Sequence, residues 1–527
     1  MTFKGTLLPY QPEAVDSMCE RKKMLVAYDL GLGKTIMTIA ALERLMDEGK
    51  VTEPGIIVCL SSIKYQWANQ IKKFTEGTSN SIVIDGTPKQ REAQYNKVYR
   101  WQDTKIDYVI LNYEQVVNDW KFIQKLPKGF VVLDEATAIK SFRSKRSKAV
   151  KKLSDATYKF ALTGTPIENG KPEELFSIMQ FVDQSVLGRF DIFDTAFIVR
   201  NTWGGVDRYR NLETLHKKLK EACVRKSQKD PDVAPYLPEA LYKEPLQVVL
   251  DRKSAKLYSR IISDLLLDLD DAQALFGSNF NILAHYGYEN QWNQGDELQG
   301  KIMAKIGCLK MLCCSPNLLK SSSNKFKLAK GEGSAYAAQL DDEGLLDSMP
   351  DTKLDVLINY SKDFLDQDDS NKLVIFCTYV EMLDKIIDRL GPDICRVYSG
   401  QIDSKTKEKH KVEFNTSSDV RVLVSSDAGG YGVDLPAANL LINYDLPWSS
   451  GLAIQRNGRI NRASSEWSTI VIQDVLVSGS IEVRQYEALQ QKNAVASAVL
   501  DGTGINDKGG VDLTIGSLKK FLLDSSV

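Results

Sequence analysis

Short, unbroken apolar runs recur along the chain. Each is closed by glycines, carboxylates or hydroxyls and followed by a stretch with apolar residues every three to four positions. In the first third the runs are Met24–Ala27, Gly55–Leu60, Ser81–Asp85, Tyr108–Leu111, Phe130–Leu133 and Phe160–Leu162. Apolar runs without polar alternation predict strands buried on both faces, the habit of parallel sheets. The periodic stretches between them, such as Glu13–Cys19 and Ile36–Met46, predict helices. The alternation fades from Phe176 to about Lys330, where long amphipathic stretches take over at Leu212–Arg225 and Ser254–Leu269. It resumes with a helix over Leu354–Tyr360 and strands at Lys372–Phe376, Cys395–Tyr398, Val422–Ser426 and Leu440–Tyr444. The pattern therefore predicts an α/β chain with two mostly parallel sheets and a helical insertion between them. The expected boundaries are 1–175 for the first lobe, 176–345 for the insertion and linker, 346–500 for the second lobe and 501–527 for a tail.

Three stretches add detail. Phe276–Gln299 is rich in Asn, Gly, Gln and aromatics and reads either as a binding loop or as a polar insertion. Ser321–Asp347 is mostly polar and predicts a mobile linker. After Asp501 the chain turns glycine-rich, then Leu513–Leu523 predicts one short helix.

A length of 527 residues allows about three domains. A net charge of −1 exerts no global pull on a polyanion, so any nucleic-acid surface must be local. Met1–Tyr10 has no apolar core after a basic start, so no signal peptide is expected, and no apolar run is long enough to span a membrane. The eight cysteines form no C-x-x-C pair, and the three histidines, His216, His285 and His410, are scattered singly along the chain. Reduced, buried thiols in a cytoplasmic chain are expected rather than a zinc site, with Cys313 and Cys314 as packing residues.

The candidate chemistry starts at Asp29-Leu30-Gly31-Leu32-Gly33-Lys34-Thr35, between a predicted strand and a predicted helix. Such a turn aims backbone N–H groups and a helix N-terminus at one spot, which suits an anion. Gly31 and Gly33 allow close approach, Lys34 adds a point charge for phosphates and Thr35 is placed to ligate Mg²⁺. Tyr28 stands where the strict G-x-x-x-x-G-K-T pattern has its first glycine, so a tight turn with a chance GKT is the competing reading. Gln11, just before the first helix, is either a polar helix-start residue or an amide suited to a purine edge. Asp134 and Glu135 close an apolar run, where adjacent carboxylates suit Mg²⁺ binding and water activation. Lys140–Lys152 carries seven Lys/Arg and no acid. By itself that is a solvated face, and in this setting a stretch near a nucleic-acid backbone. The Thr163-Gly164-Thr165-Pro166 turn could relay the state of a γ-phosphate. Three glycines in four positions, Gly429, Gly430 and Gly432, lead to Asp434. In Gln455–Arg462 the pattern Q-x-x-G-R-x-x-R sets Arg459 and Arg462 three apart, on one face of an expected helix, where two guanidiniums suit a γ-phosphoryl in transfer. A surface salt-bridge pair is the bland alternative.

Leu8–Gln11, the 29–35 loop, the 61–67 stretch, DEAT, LTGTPIEN (Leu162–Asn169) with Glu174-Leu175, the 427–435 turn and the 455–462 pattern occur in the order of superfamily-two helicases. The chain most resembles the Swi/Snf-type double-stranded DNA translocases, over about 7–175 and 350–490. Arg225-Lys226 with Leu237-Pro238, and Cys308–Leu319, resemble the family's inter-lobe segments. The chain departs from the family at Thr137, where His is usual, at Asp434, where Asn is frequent, and at Ala463-Ser464, where Gly-Gln often stands.

The resemblance implies two RecA-like lobes with ATP and Mg²⁺ in the cleft, and an ATP hydrolase acting on DNA. It implies Gln11 on adenine and Lys34 on the phosphates, with Gly31, Gly33, Thr35, Gly432 and Asp434 in the nucleotide site. Thr35 and Asp134 would hold the metal, Glu135 the attacking water, and Arg459 and Arg462 the transition state. The implied partner is duplex or branched DNA, with replication, recombination or transcription proteins beside it, for a monomer in the cytoplasm (or nucleus, if eukaryotic). The short insertions resemble compact bacterial or phage-encoded members, so fork remodelling or branch migration leads. A strand-separating helicase, a translocase that recycles proteins such as RNA polymerase, and an ATP-gated clamp stay open.

Overall fold

The computed structural model describes residues 2–200, 206–278, 295–328, 332–427, 433–503 and 514–524. Its strands, in chain order, are β1 (Lys23–Tyr28), β2 (Gly55–Cys59), β3 (Ser81–Val83), β4 (Tyr108–Asn112), β5 (Phe130–Asp134), β6 (Tyr158–Leu162), β7 (Ile198–Arg200), β8 (Val206–Tyr209), β9 (Cys223–Lys226), β10 (Glu239–Tyr242), β11 (Leu246–Val248), β12 (Leu373–Phe376), β13 (Cys395–Tyr398), β14 (Val422–Ser425), β15 (Leu440–Asn443) and β16 (Thr469–Val477).

Two parallel sheets hold the chain. In the first lobe the order is β3-β4-β2-β5-β6-β1-β9, and in the second β10-β16-β15-β12-β14-β13, with β11 also paired to β16. Parallel sheets need cover on both faces, and the side-chain alternation supplies it. Leu25 and Ala27 of β1 enter one core cluster while Met24, Val26 and Tyr28 enter the other. In the second lobe Leu373 and Ile375 of β12 face one cluster, and Val374 and Phe376 the opposite one. Ligands of such sheets sit beyond the strand C-terminal ends. The order β5-β6-β1 sets the acidic pair, the Thr163–Pro166 turn and the Gly31–Lys34 loop side by side at that edge.

In the middle of the chain, strands join both sheets and helices pack on the second lobe. β9 extends the first sheet, pairing Tyr28 with Lys226, and β10 and β11 pair with β16 of the second sheet. The helices Arg252–Phe276, Gly295–Cys314 and Pro316–Lys327 share a core cluster with β12, β14 and β15, so they form a layer on the second lobe. Ser321–Asp347 is a correction. Instead of a mobile linker, it contains the end of the Pro316–Lys327 helix and a second helix, Ala335–Asp342, with Ala337 and Leu340 fully buried. Several of its polar residues are spent on local pairs: Lys327 and Ser323, with Lys320 just before the segment, all reach Asp341, which holds that carboxyl well below its usual range. Phe276–Gln299 lies largely outside the described residues. Cys313 and Cys314 are buried, and no cluster of His, Cys, Asp and Glu among the described residues is suited to a metal. No described helix is long and apolar enough to cross a membrane.

The Ile481–Leu500 helix ties the lobes together. It starts in the second lobe's core at Ile481 and ends in the first lobe's with Val495, Ala498 and Val499. At its start Glu482 takes both carboxylate oxygens to the Lys353 ammonium, at 2.7 and 2.8 Å, with both side chains 2% exposed. Removing one partner of such a pair strands a charge without water. Glu482→Ala is therefore expected to lose about 3–5 kcal/mol, seen as a lower urea midpoint at unchanged slope. An unmoved midpoint would mean that water reaches the Lys353 ammonium in solution.

Candidate functional site

The loop after β1 carries Gly31 at φ 80° and Gly33 at φ 82°, a conformation that costs other residues a Cβ clash. A Cβ on Gly33 would meet the Gln11 amide at 2.4 Å, and one on Gly31 would meet Arg462 Cγ at 2.9 Å. The helix Lys34–Asp47 starts directly behind Gly33, with Thr35 in its first turn. The Lys34 ammonium lies within the loop and donates to the carbonyls of Tyr28 (2.9 Å) and Asp29 (3.1 Å). Burial draws it below its usual pKa, against the attraction of Glu135, Asp134 and Asp29.

Asp134 ends β5 and is fixed at both oxygens. Oδ2 accepts from the Trp67 indole at 2.7 Å and Oδ1 from the Glu135 N–H at 3.0 Å. Glu135 stands in the left-handed region at φ 51°, and its carbonyl and that of Asp134 take the Tyr113 hydroxyl. Its Oε2 is buried and accepts no hydrogen bond. A turned backbone and an orphaned carboxylate oxygen are features that cluster at functional sites. Burial and the Asp134 charge push the Glu135 carboxyl up to about 7, against Lys34 and, from the second lobe, Arg459.

The second lobe closes the site with the turn after the Ser450–Asn457 helix. Here the expectation for the arginines is corrected. The helix ends at Asn457, and Arg459 and Arg462 stand in the irregular turn beyond Gly458 rather than on one helical face. A Cβ on Gly458 would lie 2.9 Å from Leu30 Cβ, so a glycine there lets the turn reach the first lobe's loop. Arg459 is 4% exposed, with its N–H on Arg456 and its carbonyl on Leu435. Arg462 pairs with Asp434 and donates to the Gly458 carbonyl at 2.9 Å. Asp434 thus orients an arginine in this structure. Gly432 lies outside the described residues.

Gln11 is 3% exposed, and its amide is committed to the loop. Oε1 accepts from Leu8 N–H at 2.8 Å, and Nε2 donates to the Leu32 carbonyl at 3.0 Å. It braces the loop in this state, and a purine contact would require one of these bonds to be exchanged. The basic stretch 140–152 is partly spent inside the lobe: Lys140 pairs with Glu168, Arg146 with Glu114, and Lys151 donates to Ser177 and Gln180.

Some contacts that complete the site join residues far apart in the chain. Trp67 belongs to the 61–67 stretch, but its bond to Asp134, and that of Tyr113 to the Asp134 and Glu135 carbonyls, shows only after the sheet is assembled, because a donor aimed at another strand's end has no local pattern. Glu168 is a second case. Its carbonyl accepts from Ser450 Oγ (2.8 Å) and Gly451 N–H (3.1 Å), and Gln455 Nε2 lies 3.5 Å from Thr165 Oγ1. The Thr163–Pro166 turn therefore touches the second lobe directly.

One ammonium, two positive-φ glycines at a helix N-terminus, two carboxylates and two guanidiniums form a donor set that fits a metal-bound triphosphate. Thr35 and Asp134 are the residues that would hold Mg²⁺.

This fold and this site define a superfamily-two helicase-type ATPase core. The SNF2-related domain family matches residues 10–318, and the helicase conserved C-terminal domain family matches 352–464. The chain belongs to the SNF2-related family, for which ATP and Mg²⁺ are the implied ligands. It is 23% identical to YwqA of Bacillus subtilis, named as an ATP-dependent helicase/translocase, over 95% of this chain and 49% of that one. It is 24% identical to the TATA-binding protein-associated factor MOT1 of Saccharomyces cerevisiae, over 95% of this chain and 28% of that one. The chain thus spans about half, or less, of these relatives' length. The solved helicase domain of Pyrococcus furiosus Hef shares the fold, at TM-score 0.52 and 16% identity, over 91% of this chain and 98% of that one.

Proposed function

We propose that the chain is a DNA-stimulated ATPase that converts closure of its two lobes into movement along duplex or branched DNA, in fork remodelling or branch migration. The observation that carries the reading is the division of the site. Lys34 and Glu135 stand on the first lobe, and Arg459 and Arg462 on the second, with Arg462 Cγ within 2.9 Å of where a Gly31 Cβ would be. A site assembled from two bodies works only when they meet, and that is the motion a track can be coupled to.

In this reading Lys34 and the loop N–H groups neutralise phosphate charge, Glu135 orients and deprotonates the attacking water, and Arg459 and Arg462 meet the charge of the transferring group. Bound Mg²⁺ supplies Lewis-acid charge on the phosphate oxygens. The DNA backbone is read without base specificity, so affinity falls steeply with salt. The protein acts as a monomer beside DNA-bound partners, in the cytoplasm or, in a eukaryote, the nucleus. Displacement or recycling of DNA-bound proteins is the second reading. The likeness to a factor named for its association with the TATA-binding protein supports it.

The test is ATP hydrolysis at fixed salt with no nucleic acid, single-stranded DNA, duplex DNA, forked DNA and RNA. The largest stimulation is expected from duplex or forked DNA. Stimulation by single strands alone would replace this reading with a strand-separating helicase. A flat response to every nucleic acid would replace it with a protein-activated ATPase.

A further inference from the structure

β9 pairs in parallel with β1, setting Lys226 opposite Tyr28, and this register carries Gln228 to the level of Leu30 in the nucleotide loop. Gln228 uses its backbone N–H and both polar atoms of its side chain there. Its N–H donates to Asp29 Oδ2 at 3.0 Å, and its Nε2 donates to the Leu30 carbonyl at 2.9 Å and to the Asn461 carbonyl at 3.2 Å. Its Oε1 accepts from Asn461 Nδ2 at 2.8 Å. The orientation of the amide is settled by its neighbours, since a turned amide would set oxygen against two carbonyls. Asn461 is 5% exposed and lies between Arg459 and Arg462, in a turn that no helix holds in place. The carboxylate that receives the Gln228 N–H is anchored from the other side by Arg225, which also reaches Asp501 at 2.8 Å.

We propose that Gln228 and Asn461 form an inter-lobe latch that positions the arginine turn against the nucleotide loop. This rests on the split site proposed above. Neither residue touches the reacting atoms. Gln228 acts through Asn461, and Asn461 through the backbone of its two neighbours. This amide pair is the polar bridge between Leu30 and Asp29 on one lobe and the 459–462 turn on the other, beside the apolar approaches of Gly458 to Leu30 and of Arg462 to Gly31, so a change at Gln228 reaches the arginines while Lys34, Asp134 and Glu135 keep their side chains. A small misplacement of a group acting in the transition state costs up to about 10²-fold in rate with little effect on ground-state binding.

The experiment compares Gln228→Ala, Asn461→Ala, the double alanine variant and the length-exchanged pair Gln228→Asn/Asn461→Gln in the full chain. It measures DNA-stimulated kcat and KM for ATP, thermal midpoint, and hydrogen–deuterium exchange of the 455–466 peptide without nucleotide. The expected result is a fall in kcat of about 10- to 100-fold in each single variant with KM within about threefold. The double variant is expected to be no worse than the singles, the mark of coupled residues. Exchange in the peptide is expected to be faster in the alanine variants, and both exchange and kcat to recover in the length-exchanged pair. Wild-type exchange in the single variants, additive losses, or a length-exchanged pair no better than the alanines would each overturn the latch. The exchange readout needs no hydrolysis. A wild-type chain that fails to hydrolyse ATP would therefore remove the proposed function while exchange still decides the latch.

Discussion

Replacing Arg459 with alanine is expected to lower DNA-stimulated kcat by roughly 10³–10⁵, the span over which arginine fingers act in phosphoryl transfer. The argument starts from position. Arg459 is held by its backbone to Arg456 and Leu435, and a residue 4% exposed on the second lobe still makes its charge felt at Glu135 on the first. A guanidinium kept from water in a closed cleft costs no reorganisation when charge develops on the phosphoryl oxygens. Lysine should restore little, because it offers a point charge without the planar fork. The loss should fall on kcat, with KM for ATP changed only a few-fold, since the phosphate contacts proposed for Lys34 and the glycine loop are the same in either variant. A kcat within tenfold of wild type would move the transition-state role to Arg462 alone.

The sequence made the loops at the strand ends legible and left the contacts between them unread. β1, β5 and β6 could be seen because a strand buried on both faces is an apolar run, and the residue types that close each run are the chemistry itself. Family membership followed from their order. β9, β10 and β11 could not be seen, since three- and four-residue strands with exposed positions such as Leu241 and Tyr242 carry neither alternation nor a full apolar run. The spacing of three between Arg459 and Arg462 fits a helical face, and so the pattern alone favours a helix there. Gly458 ends the helix, and the tight approach of Leu30 is what a glycine there permits. Gln11 shows the same limit in a side chain. Its chemistry suits a purine edge, and only the assembled loop shows both ends of the amide already bonded. Ser321–Asp347 is polar in composition because its few core contacts, Ala337, Leu340 and Leu346, are spaced among charged residues, several of which converge on Asp341.

Glu135→Gln is expected to leave the protein folded and able to bind ATP while hydrolysis falls at least about 10²–10⁴-fold, the contribution typical of a positioned general base. Gln keeps the size and shape of Glu, so the unusual backbone at φ 51° and the Tyr113 bonds to the carbonyls are retained. What disappears is a carboxylate that burial and Asp134 both disfavour as a charge. Removing that repulsion should leave the thermal midpoint unchanged or raise it. It should also leave nucleotide affinity at least equal to wild type, because Lys34 and Asp134 are untouched. The orphaned Oε2 is the atom that would take the proton of the attacking water, and an amide in its place accepts no proton at neutral pH. Single-turnover hydrolysis with a fluorescent ATP analogue separates the steps: a normal binding phase followed by no cleavage supports the assignment. Normal DNA-stimulated turnover in this variant would transfer the base role elsewhere and leave Glu135 as a structural partner of Asp134.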